Sequence, residues 1–170
     1  CIRDRHIPEL RWVQPEHLVD QFARTIRREL DFIAEGQSME RFRRNFEGDE
    51  TRLVPRVHWK QTGSRVLTTD WVEGVKVTDL RELERRGYDR RAIALNGART
   101  ILKEVFEHHL FHADPHPGNF FVLEGNVIAA IDFGIVGRLD EETVEQLALF
   151  LTSVVQRDAA GVMSVMKVLG

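Results

Sequence analysis

Three side chains in the C-terminal half have types and spacings that suit magnesium and phosphate chemistry. Asp114 follows His112-Ala113, Asn119 lies five residues further on, and Asp132 opens Asp132-Phe133-Gly134 thirteen residues after Asn119. Mg²⁺ prefers oxygen ligands and is usually held by one or two carboxylates together with substrate phosphates. In phosphoryl transfer an Asp and an Asn hold such ions, while another Asp orients the attacking group. The spacing therefore predicts that Asn119 and Asp132 bind Mg²⁺ and ATP, and that Asp114 is catalytic.

The segments between these residues predict how the side chains meet. Residues 120–123 and 127–131 read as two strands joined by a tight turn at Glu124-Gly125-Asn126. Such a hairpin places Asn119 just before its first strand and Asp132 just after its second, so both side chains lie at one end. Pro115 and Pro117 restrict the backbone of the loop that precedes the hairpin.

The loop also allows a different kind of site. His112, Asp114 and His116 alternate, and His-x-Asp-x-His could hold a transition metal. Two prolines within the string oppose a strand that would aim all three side chains at one face. We therefore do not favour the metal site, and we expect His112 to brace the loop by hydrogen bonding rather than to act in the chemistry.

Composition excludes several classes of protein. The 170 residues are 42% hydrophobic and 30% charged, which is ordinary for one soluble domain or one lobe of a larger one. A net charge of −3 does not favour nucleic acid as a partner. The single cysteine excludes an internal disulfide, and no apolar run is long enough to span a membrane.

The N-terminal half predicts two helices. The first is predicted from apolar residues at four-residue spacing: Leu18, Phe22, Ile26 and Leu30. The second carries Met39, Phe42 and Phe46 and ends near Gly48, and Gly36 is predicted to break the chain between the two helices.

Residues 53–59 and 65–72 are predicted to form two strands, joined by a turn at Gln61-Thr62-Gly63. The second strand runs into Val72-Glu73-Gly74, a pattern similar to the hinge between the two lobes of a kinase. At such a hinge the main chain around Asp70 and Val72 would hydrogen-bond the adenine ring; the alternative is that this segment is a plain strand end.

Three further helices are predicted from N-cap residues. Thr78 is predicted to cap a short helix that stops at Gly87, and Asp89 and Asp140 are predicted to cap longer ones. The buried stripes of the longer helices are predicted to be Ile93, Ile101, Leu102, Val105 and Phe106, and then Val144, Leu147, Leu151 and Val154.

The order of long helix, loop, hairpin and Asp-Phe-Gly predicts an α+β, protein-kinase-like fold. We expect residues 1–75 to be a partial β-containing N-lobe and residues 76–170 a helical C-lobe, together one domain fragment.

Several strings resemble the UbiB/AarF family of atypical kinases over essentially the entire chain. They are Arg28-Glu29-Leu30-Asp31-Phe32 with Glu35, Glu40-Arg41-Phe42-Arg43-Arg44-Asn45-Phe46, Thr69-Asp70-Trp71-Val72-Glu73-Gly74, Phe111-His112-Ala113-Asp114-Pro115-His116-Pro117-Gly118-Asn119 and Ile131-Asp132-Phe133-Gly134. The Glu-x-Asp string is the specific part, because many kinases share the rest.

The resemblance implies roles for three further residues. Glu29 and Asp31 would form a signature that meets an N-terminal Lys-x-Gly-Gln segment over the active site, and Glu35 would pair with the ATP-orienting Lys as a second catalytic residue. It also implies an ATPase or unorthodox kinase that uses Mg²⁺ and ATP and supports ubiquinone biosynthesis. Such a protein would act on the cytoplasmic side of a bacterial inner membrane, or in mitochondria if eukaryotic, with a lipid or isoprenoid-phenol precursor and other ubiquinone-biosynthesis proteins as partners.

The chain departs from the family in its N-terminal part. The Lys-x-Gly-Gln segment, the alanine-rich nucleotide loop and the Lys-bearing strand are not in this sequence, whose first lysine is Lys60. We therefore expect this chain to be part of a longer protein, and by itself to bind ATP weakly and to be inactive.

The segment after Asp-Phe-Gly points to the class of substrate. Only five residues separate Gly134 from Asp140, and no Ala-Pro-Glu follows. An ordinary protein kinase places a longer, peptide-binding activation segment there, so we expect the acceptor to be a small molecule, a lipid precursor or water. Two alternatives stay open: a small-molecule phosphotransferase of the aminoglycoside or choline kinase type, and a nucleotide-binding pseudokinase scaffold.

Overall fold

The computed structural model describes residues 31–169, which form a mixture of α-helices and short β-strands. The helices are α1 (Phe32–Asn45), α2 (Leu80–Arg85), α3 (Arg90–Phe106), α4 (Glu141–Val155) and α5 (Ala159–Leu169). The strands are β1 (Arg52–Leu53), β2 (Val75–Lys76), β3 (Leu110–His112), β4 (Phe120–Leu123), β5 (Val127–Ala130) and β6 (Val136–Arg138). The predicted mixed class is confirmed, whereas the first predicted helix, on Leu18 to Leu30, lies outside the described residues.

Four strands form one sheet in the order β1-β5-β4-β2. Strands β4 and β5 are the predicted hairpin, paired antiparallel from Phe120 opposite Ala130 to Leu123 opposite Val127. Gly125 turns the chain with a φ of +78°, a conformation that glycine adopts without the steric cost of a Cβ. Strand β1 lies parallel to β5, and β3 pairs with β6 in a separate two-stranded sheet.

The segment before the predicted hinge is less regular than predicted. Its two chain passes pair only at isolated bridges, Val57 opposite Thr69 and Gly63 opposite Val66, and a short 3₁₀ helix replaces the end of the first strand at Trp59–Gln61. Pro55 lacks the N–H that a regular ladder needs, which limits pairing here. The chain nevertheless doubles back as predicted.

Two predictions about the shorter helices are wrong. Gly36 lies inside α1, where a Cβ would come within 3.0 Å of the Trp59 ring, so this glycine allows close packing rather than a break. The N-cap of α2 is Asp79, whose carboxylate accepts from the Glu82 N–H at 3.1 Å, and not Thr78.

The longer helices begin at the predicted caps, Asp89 and Asp140, but each buries only part of its predicted stripe. In α3 the buried side chains are Ile93, Asn96, Thr100 and Glu104. Ile101 and Leu102 are 57% and 48% exposed. In α4 Val144 is buried, whereas Leu151 and Val154 are exposed and the unpredicted helix α5 follows. The corrected faces matter because α3 presents polar groups to the site described below.

The largest core cluster joins α1 to the Asp-Phe-Gly segment. The fully buried ring of Phe133 packs on Phe42 with a centroid separation of 4.9 Å. Burial of such a ring contributes roughly 2–3 kcal/mol, which anchors the residue directly after Asp132. The cluster comprises Met39, Phe42, Phe46, Val54, Val57, Leu110, Ala130 and Phe133.

Candidate functional site

Asn119 and Asp132 lie together at the open end of the β4–β5 hairpin. The Asn119 Nδ2 donates to Asp132 Oδ2 at 2.8 Å, and the Gly134 N–H donates to Asp132 Oδ1 at 2.9 Å. The Ile131 N–H donates to the Asn119 carbonyl at 3.1 Å, which extends the hairpin ladder to Asn119 and to the residue before Asp132. The proximity predicted from the hairpin spacing is therefore observed.

The donor set of this pair fits Mg²⁺. A carboxylate and a carboxamide offer charged and neutral oxygens, the ligand types that this ion prefers. A half-turn of the Asn119 carboxamide would bring its oxygen next to Asp132. Across residues 31–169 no group of three or more His, Cys, Asp or Glu side chains could hold a metal ion. The nucleotide phosphates and water would therefore supply the remaining ligands, as is usual for Mg²⁺.

Glu35 reaches the same place from helix α1. Its Oε1 accepts from the Phe133 N–H at 3.2 Å, a contact between residues far apart in sequence. Burial raises the pKa of Glu35, the Phe133 hydrogen bond partly offsets this, and the negative charge of Asp132 adds to the rise. Two neighbouring carboxylates of this kind attract a cation, either a metal ion or an ammonium group. The ATP-orienting role of Glu35 stays a prediction.

Asp114 lies on the loop between β3 and the 3₁₀ turn at Pro117–Asn119, and its side chain is exposed. Its backbone is held at both ends: the Asp114 N–H donates to His112 Nδ1 at 3.2 Å, and its carbonyl accepts from the His116 N–H at 2.7 Å. The backbone of Asp114 is thus fixed while its carboxylate faces solvent. A carboxylate in this position is accessible to a second substrate.

His112 braces this loop, as predicted. Its ring is buried, lying 5.8 Å from the Phe120 ring centroid and 5.6 Å from that of Phe133. Its backbone N–H donates to Glu104 Oε2 at 3.2 Å, and burial lowers the pKa of its imidazole. His112 therefore links the loop that carries Asp114 to helix α3 and to the Asp-Phe-Gly segment.

The alternative transition-metal site is not formed. The Nδ1 atoms of His112 and His116 each accept a loop N–H, from Asp114 and Gly118 respectively. Among the described residues, these side chains make no metal-binding cluster.

The predicted hinge lines a cleft of about 540 Å³ together with Glu35, Phe121 and Ile131. The Asp70 side chain hydrogen-bonds His58 Nε2 at 2.7 Å, which lowers the pKa of Asp70, and its N–H donates to the Arg56 carbonyl at 2.9 Å. Within residues 31–169 the Asp70 carbonyl and the Val72 N–H have no backbone partner. Both groups are therefore free to hydrogen-bond an adenine ring, and this use stays a prediction.

Of the two signature residues, Asp31 lies within the described part of the chain. Asp31 is the N-cap of α1, where its Oδ1 accepts from the Ile33 and Ala34 N–H groups at 3.1 and 3.3 Å. Glu29 lies outside the described residues. Asp31 thus has a local structural task in addition to the implied signature role, because it fixes the start of the helix that carries Glu35.

A buried ion pair behind the loop was missed from sequence. Arg52 Nη2 lies 3.6 Å from Glu104 Oε1, and the two side chains are 1% and 5% exposed. Burial raises the pKa of Glu104 and lowers that of Arg52, although each faces an opposite charge. The sequence signal is weak: Glu104 lies four residues after Thr100 and eleven after Ile93, on the same helix face. Its partner Arg52 lies 52 residues earlier and cannot be identified from this spacing.

A family model, the ABC1 atypical kinase-like domain, matches residues 2–166. A Pseudomonas putida protein described as probable protein kinase UbiB is 37% identical over 159 residues, covering 91% of this chain and 30% of that protein. The Arabidopsis thaliana protein ACTIVITY OF BC1 COMPLEX KINASE 1, chloroplastic, is 34% identical over 143 residues, covering 84% and 21%. The chain thus spans less than a third of the length of these curated relatives.

A solved structure, that of Rv3197 from Mycobacterium tuberculosis in complex with erythromycin, shares the fold. It superimposes with a TM-score of 0.65 at 24% identity, covering 96% of this chain and 42% of that one.

Proposed function

Because this chain belongs to the ABC1 atypical kinase-like domain family, we propose that it carries the Mg-ATP-binding and catalytic residues of an ATP-dependent kinase or ATPase. The kinase-like fold is shared by the family and by the solved relative. The observation that carries the proposal is the meeting of Asn119, Asp132 and Glu35, which come from three separate parts of the sequence.

The proposed division of tasks follows the surroundings of each side chain. Asp132 and Asn119 would hold Mg²⁺, which neutralises developing charge on the transferred phosphate when bound. Asp114 would orient the hydroxyl or water that attacks, and Glu35 would orient a Lys outside this chain. The Asp70 carbonyl and the Val72 N–H would hold the adenine ring.

A small acceptor or water is the proposed second substrate. Strand β6 begins two residues after Gly134 and pairs with β3, and Asp140 then caps α4. This path leaves little backbone for docking a peptide. We further propose that the acceptor is a lipid or isoprenoid phenol and that the protein acts with other biosynthetic proteins. A role in ubiquinone biosynthesis and a location at the inner membrane are also proposed, and the name of the relative, probable protein kinase UbiB, supports these two. No helix within residues 31–169 has the length and apolarity to cross a bilayer.

The test is Mg-ATP binding and hydrolysis by the complete gene product that carries this chain. Asp132→Asn should lower Mg-dependent ATP affinity and hydrolysis by about 100-fold or more, because the metal loses its charged ligand. Asp79→Asn is the matched control, since Asn is an equally good N-cap and Asp79 lies outside the cleft. Unchanged Mg-ATP affinity in Asp132→Asn would contradict the metal assignment.

The same assay, with and without membrane lipid and a quinone-like phenol, separates the possible reactions. Hydrolysis stimulated by lipid, with no phosphorylated acceptor, supports an ATPase. A phosphorylated small acceptor favours a phosphotransferase. Binding without turnover under every condition supports the scaffold.

A further inference from the structure

The hinge segment is held by main-chain hydrogen bonds at its two ends. Before it, the Asp70 N–H donates to the Arg56 carbonyl at 2.9 Å, and after it strand β2 pairs with β4. Within residues 31–169, the main chain of residues 71–73 makes no hydrogen bond to another main-chain group. The orientation of the Asp70 carbonyl and the Val72 N–H, the two groups proposed to hold adenine, therefore depends on how firmly residue 70 is fixed.

Backbone pairing fixes residue 70 only in part. A continuous antiparallel ladder holds each strand through repeated pairs of hydrogen bonds. The two chain passes before the hinge instead meet at isolated bridges, Val57 opposite Thr69 and Gly63 opposite Val66. Side-chain contacts therefore carry more of the task of fixing Asp70 than they would in a regular sheet.

The imidazole of His58 supplies such a contact. Its Nε2 lies 2.7 Å from Asp70 Oδ1, whereas Arg56 Nη2 lies 3.5 Å from the same oxygen. A carboxylate can only accept, so His58 Nε2 carries the hydrogen and donates it. This hydrogen bond is the largest cause of the lowered pKa of Asp70. The short distance makes His58 the principal partner of the Asp70 side chain.

The position of His58 separates it from direct contact with a nucleotide. Asp70 lines the hinge cleft, and His58 is not among the described residues that do so. An effect of His58 on a ligand in this cleft must therefore pass through Asp70.

We propose that His58 is a positioning residue for the nucleotide, because its hydrogen bond to Asp70 fixes the residue whose carbonyl would face the adenine ring. The inference rests on the proposed function, since it needs adenine at the hinge. Asp114, Asn119 and Asp132 lie on other segments of the chain. Loss of the His58 contact should therefore weaken ATP binding and leave the chemical step unchanged.

Two substitutions that differ by one methylene test the contact in the complete gene product. The amide nitrogen of glutamine takes the place of histidine Nε2, so His58→Gln keeps a donor for Asp70. Asparagine is one methylene shorter, so His58→Asn leaves Asp70 without this donor. The His58 side chain is 37% exposed, so both variants should fold, and thermal unfolding checks that they do.

The expected result is a change in KM for ATP without a change in kcat. His58→Asn should raise the KM and the Kd of Mg-ATP by about threefold to tenfold, because the lost hydrogen bond is charge-assisted but partly exposed. Its kcat should stay within about twofold, as expected when only binding is weakened. His58→Gln should restore KM and Kd to within about twofold of the unaltered protein. Steady-state hydrolysis and isothermal titration measure these quantities, and the Kd alone decides where turnover is too slow to follow.

A double-variant cycle shows whether His58 acts through Asp70. In an Asp70→Ala background, His58→Asn should cause no further loss of Mg-ATP affinity, because the partner of the hydrogen bond is already absent. An equal loss in both backgrounds would overturn the proposal.

The remaining outcomes separate this proposal from the proposed function. Mg-ATP binding by the unaltered protein, with an unchanged KM and Kd in His58→Asn, would overturn the positioning role alone. An equal loss in His58→Gln and His58→Asn would also overturn it, because the donor would then not be the cause. Absence of Mg-ATP binding by the unaltered protein would overturn the proposed function and the role of His58 together.

Discussion

Asp132 and Asp114 have identical side chains in different surroundings. The Asp132 carboxylate accepts from Asn119 Nδ2 and from the Gly134 N–H, so both of its oxygens are oriented. The Asp114 carboxylate is exposed, and only the backbone of that residue is held. An oriented carboxylate suits a metal ligand, whereas one that faces solvent can meet an incoming hydroxyl.

Asp114→Asn should therefore separate turnover from binding. The amide cannot accept a proton from the attacking group, so we expect hydrolysis or transfer to fall by about 10²–10⁴-fold with Mg-ATP affinity unchanged. Isothermal titration and a steady-state phosphate assay on the complete gene product measure the two quantities. Asp140→Asn, which preserves the N-cap of α4, is the control. Unimpaired turnover in Asp114→Asn would exclude a catalytic role for this carboxylate.

The Asp49 carboxylate is held by Lys103 and Thr51, outside the candidate site. Burial would raise the pKa of Asp49, but hydrogen bonds from Lys103 and Thr51 outweigh it and lower the pKa from 3.8 to about 2. A carboxyl whose pKa is depressed by folding stabilises the fold above its unfolded pKa, and this contribution is lost as the pH falls through the folded pKa.

Asp49→Asn should lower the free energy of unfolding by about 1 kcal/mol at neutral pH, after solvent screening is taken into account. The difference from the unaltered chain should shrink as the pH falls from about 4 towards 2. Urea unfolding at neutral pH and at about pH 3 measures it. Glu50→Gln, at an exposed neighbouring position, should leave the pH dependence unchanged. A pH-independent difference for Asp49→Asn would show that the effect is steric.

Among the elements, the buried pair of Arg52 and Glu104 connects β1 to α3. Glu104 also accepts from the N–H of His112, the last residue of β3, which directly precedes the loop that carries Asp114. The guanidinium lies 5.6 Å from the Phe120 ring centroid, which adds a cation–π contact. One helix residue therefore connects a sheet edge with the segment that carries Asp114.

Removing both partners should cost less than the sum of the two single losses. Glu104→Gln leaves a buried, unbalanced guanidinium and should lower the free energy of unfolding by about 3–5 kcal/mol. The double variant Arg52→Met, Glu104→Gln should lose less than the sum of the single variants. The free energy of unfolding is measured with denaturant for the unaltered chain, the two single variants and the double variant. As a control, Glu82→Gln, in an exposed ion pair with Arg85, should change stability far less. Additive losses would mean that the two groups act independently.

At the scale of the whole molecule, the last two helices pack chiefly on each other. Val144 near the start of α4 is buried, whereas Leu149, Val155, Met163 and Met166 are more than half exposed. We therefore expect the apolar residues of these helices to contribute unequally to the free energy of unfolding, because only some of them are buried.

A matched pair of substitutions tests this inequality. Val144→Ala removes two buried methyl groups and should cost about 2 kcal/mol. Val155→Ala removes the same atoms from a side chain that is 83% exposed and should change stability by less than about 0.5 kcal/mol. Thermal and urea unfolding of both variants give the comparison, and equal losses would place Val155 in a buried contact.

Features that depend on neighbours along the chain could be predicted from the sequence alone. Residue types at short spacing predicted the helix caps at Asp89 and Asp140. They also predicted the β4–β5 hairpin and the contact of Asn119 with Asp132, because a turn and two strands have few possible geometries. The kinase-like fold followed from the order of these local elements.

Features that depend on distant partners, such as which side chains of a helix are buried, are visible only in the tertiary structure. Glu104 is buried because Arg52 from another strand faces it, while Ile101 on the same helix is left exposed. Gly36 is accommodated within a helix because the Trp59 ring lies against it. Hydrophobic periodicity shows that a helix has a preferred face, but which residues are covered depends on what packs there, and that information is distributed over the entire chain.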